Sequence, residues 1–158
     1  MAVKNLYAIL LLAGLCSLPS AHAEEVGKIS TTFRLLSPND KVVVDAFDDP
    51  AVSGVACYVS RAQTGGYSGA VGLAKDPSRF SVACRQIGSI SFARALPKQE
   101  EVFKESASFV FKHVRVVRIV DAKRNTLVYL TYSDKLIDGS PDNAVTAVPV
   151  SGQSIPQK

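Results

Sequence analysis

His113-Val114-Arg115-Val116-Val117-Arg118-Ile119-Val120-Asp121 and Leu127-Val128-Tyr129-Leu130-Thr131-Tyr132-Ser133 flank a polar Lys123-Arg124-Asn125. Both runs are rich in β-branched and aromatic residues, which suit a pleated, half-buried surface, and the charged break between them is short. The pattern predicts a β-hairpin. Alternation places Arg118 on the same face as Val114, Val116 and Val120, so a guanidinium points where an apolar core is expected.

Strand-like segments extend outward from this hairpin. On its N-terminal side lie 103–111, then 81–87 with a further stretch at 89–96, then 55–61, 41–47 and 28–36. Ser37-Pro38-Asn39-Asp40 and Asp48-Asp49-Pro50 act as turn signals between them. Lys41 to Phe47 is apolar on both faces, as in a strand covered on both sides. On the C-terminal side, 144–150 predicts an edge strand and 153–158 a disordered tail. Asp76-Pro77-Ser78 has the form of a helix start, with Asp as cap and Pro at the first position. The expectation is a mainly β fold: one compact sandwich or barrel-like domain over 24–152, with seven to nine strands, a short helix and one disulfide.

The first 23 residues read as a leader. Lys4 supplies a basic start, Leu6 to Leu18 an apolar run of thirteen residues, and Ala21-His22-Ala23 a small-x-small cleavage site. The run is too short to span a membrane, which takes about 20 residues. Leu15 before Cys16 does not suit lipid attachment. The expectation is a protein exported to the periplasm, with no membrane span.

Cleavage changes the chemical inventory. Of the 158 residues, 135 remain, enough for one self-sufficient core. Loss of Lys4 leaves 17 basic against 14 acidic residues, net +3, with no charged tail. Compartment and charge together argue against nucleic acid. The sole methionine and one of two histidines leave with the leader, so His113 is the only mature histidine. That excludes a methionine-rich copper(I) site and a zinc site with two histidines. No cofactor is expected. Cys57 and Cys84 remain and most simply form one disulfide, since redox catalysts favour Cys-x-x-Cys spacing and these two lie 27 apart.

Several segments together resemble the CreA family of bacterial periplasmic proteins. They are Val44 through Pro50, Cys57 through Ala62 with Thr64-Gly65-Gly66, Ala83 through Gly88, Val117 through Asp121, Asn125 through Asp134, and Gly139 through Asn143. The likeness runs in order along nearly the whole mature chain. Ser89 departs from it, standing where the family often has proline, which touches only a local turn. The resemblance implies an exported single-domain protein with the two cysteines as a family feature. It carries over no activity and no catalytic residue.

Among candidate sites, Asp45 and Arg118 both sit on otherwise apolar strands and invite pairing with each other. A buried guanidinium needs a carboxylate or a ligand anion. Arg118, with Arg61, therefore marks either a structural ion pair or a small-anion pocket. Asp45, Asp48 and Asp49 do not have the glycine-bent spacing of a calcium loop, and read as one buried, paired Asp beside a strand-end turn. Thr64 to Gly72 matches no phosphate loop, and Gly66-Tyr67-Ser68-Gly69-Ala70 narrowly misses the Gly-x-Ser-x-Gly elbow of serine hydrolases. Lys112, Arg115, Lys123 and Arg124 form a basic face, with solvation the simplest reading. The sequence favours a non-catalytic accessory protein that binds a protein partner or a small anionic ligand. The alternatives are an enzyme using Asp45, Asp48 or His113 and a scaffold role through the 144–150 edge.

Overall fold

A computed structural model describes residues 23–67, 80–108, 112–134 and 142–158. The expected leader, the expected helix at Asp76-Pro77-Ser78 and the near-elbow at Ser68 lie outside these residues. The described chain is mainly strand: β1 (Glu24–Ser30), β2 (Lys41–Asp48), β3 (Val52–Gln63), β4 (Phe80–Phe92), β5 (Gln99–Ser108), β6 (Lys112–Asp121), β7 (Thr126–Asp134) and β8 (Asn143–Pro149). They form two antiparallel sheets, ordered β1-β2-β3-β4 and β5-β6-β7-β8, so every ladder joins strands adjacent in sequence.

The sheets enclose one core because every strand except β1 turns apolar residues inward. β2 contributes Phe47, β3 Val55, Cys57 and Val59, β5 Val102 and Phe103, β6 Val114, Val116 and Val120, and β7 Leu127 and Tyr129. Across the middle, the rings of Phe47 and Phe103 stack with centroids 4.3 Å apart. Cys57 and Cys84 face each other directly in the β3–β4 register and form the expected disulfide, wholly buried in this core. β4 lies beside β8, where the Cys84 N–H donates to the Thr146 hydroxyl at 3.3 Å.

Turn chemistry sets the junctions. The hairpin between β6 and β7 closes through a single 3-10 turn, Ala122–Arg124, capped by Asp121, and Asn125 takes the left-handed conformation that Asn tolerates. Gly54 has φ +82°, and a side chain there would place its Cβ 2.4 Å from the Ser89 carbonyl oxygen. Only glycine fits here, at the register shift where the single residue 54 of β3 faces the four residues 87–90 of β4.

Several sequence-based boundaries need correction. β1 ends at Ser30 rather than Leu36, because the chain turns back through the Thr31 N–H to Asp40 carbonyl bond. β2 is covered on one face only: Val43, Asp45 and Phe47 are buried, and the intervening residues are partly exposed. No separate strand occupies 89–96, since β4 absorbs its first half. The segment 153–158, expected to be disordered, docks instead. Asn125 donates to the Val150 and Gln153 carbonyls and accepts from the Ile155 N–H, Ile155 is buried, and Leu96 bridges Gln157.

Candidate functional site

Arg118 projects from β6 into the core and is 0% exposed. Its partner is not Asp45. One guanidinium nitrogen, Nη1, donates to both oxygens of Asp49 at 2.5 and 2.7 Å, and Nη2 donates to Glu100 at 2.5 Å. Asp49 also accepts the Ala51 N–H and the Tyr129 hydroxyl, each at 2.9 Å. Glu100 is further held by Arg94. Sequence distance explains the missed pairing. Asp49 reads as a strand terminator beside Pro50, yet the β2–β3 turn folds its carboxylate back under the second sheet. The result clasps the two sheets together.

This cluster is closed. Arg118 and Arg94 balance Asp49 and Glu100, and burial together with the adjacent Asp49 charge raises the Tyr129 phenol well above its ordinary pKa, keeping it a neutral donor. The Arg118 guanidinium is shut off from a solute anion, and the exposed Arg94 is already held by Glu100. Three buried polar atoms, Arg118 Nε, Thr131 Oγ1 and Ser133 Oγ, lack a hydrogen-bond partner among the described residues.

Asp45 belongs to a second cluster. It sits inward on β2 between Val43 and Phe47, and accepts Arg61 Nε at 2.8 Å from the neighbouring strand. Arg61 Nη2 reaches across to Glu105 on β5 at 3.0 Å. One cation thus serves two carboxylates, leaving a net charge of −1. Burial raises the Glu105 carboxyl, with Asp45 adding to the shift and Arg61 opposing it. Arg61 and Glu105 border a small crevice with Val59, Phe103 and Val114, which has room for about one water molecule. Its size and sign both disfavour a small organic anion. The structure therefore separates Asp45 and Arg61 from Arg118 and completes each cluster with carboxylates.

The remaining candidates disperse. Asp48 is exposed at the end of β2. The Asp134 carboxylate bonds the His113 N–H and Arg115; against the opposing effect of burial, these bonds hold it below its ordinary pKa. Two residues of the expected basic face are paired, Arg115 with Glu101 and Asp134, and Arg124 with Asp121. Among the described residues, no three His, Cys, Asp or Glu side chains converge as a metal site, and no helix is long and apolar enough to cross a membrane.

The unforeseen feature is an apolar tip between β1 and β2. Phe33, Leu35 and Leu36 are 82–84% exposed. The loop bearing them is nevertheless tightly held. Arg34 donates to both Asp40 oxygens, its N–H to Asn39, and the Asp40 N–H to Thr32. The Gly65 N–H reaches Asp40 at 2.6 Å, Gly66 N–H the Pro38 carbonyl, and Tyr67 hydroxyl the Leu36 carbonyl. The Gly65 bond and Arg34 together lower the Asp40 pKa. A Cβ on Gly65 would lie 2.2 Å from the Pro38 oxygen, so the two loops touch only because residue 65 is glycine. The apolar residues of 31–36 are what led the alternation to overextend β1; the strand ends before them.

Fold and clusters define a disulfide-pinned, two-sheet β protein whose buried charges are paired internally. The chain belongs to the CreA family: the family described as CreA protein matches residues 26–153. Protein CreA of Escherichia coli strain K12 is 49% identical over 152 residues, covering 94% of this chain and 97% of that protein. The CreA proteins of E. coli O6:H1 strain CFT073 and of O157:H7 match to the same extent. No solved structure matches.

Proposed function

We propose that this is an exported, non-catalytic accessory protein of the periplasm that docks a protein partner through the apolar tip at Phe33, Leu35 and Leu36. One observation carries the reading: large apolar side chains are held out in solvent by a loop latched with hydrogen bonds and a required glycine. Exposed apolar groups in a contiguous patch mark interaction surfaces, and rigid display lowers the ordering cost of binding. Arg34 is neutralised by Asp40, so the tip has no unpaired cation for anionic lipid. The chemistry fits an apolar, uncharged groove on a protein. The alternative of a small anionic ligand loses support because both core guanidinia are taken by carboxylates.

The test combines two measurements. A photo-crosslinking residue at Leu35, introduced in living cells, gives a discrete protein adduct, and Gly65→Ala, which unlatches the tip, removes it without unfolding the core. A thermal-shift screen against organic acids and phosphates stays flat. Absence of an adduct, or a clear shift with an anion, overturns the reading.

A further inference from the structure

We infer that β1 is a pairing edge for a second copy of this chain, joining two N-terminal sheets into one continuous sheet across a two-fold axis. The inference rests on the edge of the sheet and not on the apolar tip.

Two four-stranded sheets have four edges. β4 and β8 lie against each other, which leaves β1 and β5. β5 is interrupted by two register shifts, and its Glu100, Glu101 and Glu105 are committed to Arg118, Arg115 and Arg61. β1 differs. All seven of its residues are exposed, Val26 at 58% and Ile29 at 73%, and among the described residues its only strand neighbour is β2. Such an edge offers unpaired N–H and C=O groups to another strand. Edges are commonly guarded by lysine or a bulge. The bulge here is confined to Val26, and Lys28 is neutralised by Glu25 at 2.9 Å.

The order of charges makes the strand complementary to itself. An antiparallel pair with its axis between Val26 and Gly27 sets Glu25 opposite Lys28 of the second copy, and Lys28 opposite Glu25. It also sets Glu24 opposite Ile29 and Val26 opposite Gly27. Two-fold interfaces require this reciprocity, and directly opposed unlike charges favour a cross-strand pair while like charges oppose it. The intrachain Glu25–Lys28 bond of each copy is exchanged for an interchain one, two before pairing and two after. In this arrangement Ser30 of each copy lies opposite Ala23 of the other, so the chain leaves toward residues 31–36 at the two outer ends of the joined strands.

Sedimentation equilibrium on the purified, disulfide-bonded protein over a concentration series tests this. The native sequence shows a reversible monomer–dimer equilibrium. Lys28→Glu and Glu25→Lys each set like charges opposite at two places and weaken association by about tenfold or more. An equimolar mixture of the two variants regains native affinity as a heterodimer, because each supplies the charge that the other lacks. Both positions are exposed, so far-UV circular dichroism stays native. A native protein that remains monomeric throughout overturns the inference. So does a dimer indifferent to Lys28→Glu, or a mixture that fails to recover.

Discussion

Replacing Arg118 with leucine removes the cation of a wholly buried cluster. Asp49 then keeps only the Ala51 N–H and the Tyr129 hydroxyl, with its side chain still out of water. Glu100 loses less, because Arg94 still holds it and it is partly exposed. Stripping one partner from a buried pair costs about 3–5 kcal/mol, mostly as the penalty of the charge left behind. For a domain of this size that lowers Tm by about 12–20 °C. Urea unfolding at pH 7, followed by far-UV circular dichroism, measures the loss directly. Adding Asp49→Asn discharges the orphan while keeping an acceptor for Ala51 and a partner for Tyr129. The double variant therefore recovers about 2 kcal/mol relative to the sum of the two single changes. A loss under about 1 kcal/mol for Arg118→Leu, or strict additivity in the cycle, refutes a buried clasp whose carboxylate needs this cation.

Replacing both Cys57 and Cys84 with alanine opens a loop of about 28 residues, costing about 3.6 kcal/mol in the chain-entropy treatment, with a cavity penalty added; urea midpoints read the sum. Glu105→Gln changes the pH profile of stability. Because the folded-state pKa is raised, the Glu105 contribution is full below the ordinary glutamate pKa and is lost as pH rises through the folded value. The stability of Glu105→Gln relative to the parent thus grows from about pH 4 toward neutrality, and a flat difference contradicts the assigned direction. Deleting 153–158 uncovers the Ile155 site and frees Asn125, for a loss of about 2–3 kcal/mol by thermal unfolding. No loss would show that the tail does not seal the core.

Fold class was legible in the sequence because it rests on local pattern. The β6–β7 hairpin, β3 and the cysteine strands have β-branched content and inward alternation that no other element would satisfy. Alternation also placed Asp45 and Arg118 correctly on inward faces. Their partners were not legible, since Arg118 meets Asp49 69 residues away and Arg61 meets Glu105 44 residues away, distances at which strand periodicity carries no information. The Asp49-Pro50 turn looked like punctuation, although its carboxylate is the deepest anion. The tail misled for a related reason. Gln153 to Lys158 has polar, terminal composition, and its anchors, the left-handed Asn125 and Leu96, lie far from it in sequence.

The sequential order of the two sheets governs how the chain can be made. β1 to β4 form one meander and β5 to β8 the other, and among the described residues no strand is exchanged between them. A chain delivered N-terminus first, from a ribosome or a translocon, presents β1 to β4 before β5 exists. Both cysteines emerge in that first half, already opposed in register, so oxidation can lock the half-built protein. The lock is safe but unfinished: Asp49 waits without its cation until residue 118 arrives. Synthesis order thus divides assembly into a covalent step that holds the first half and an electrostatic step that accepts the second.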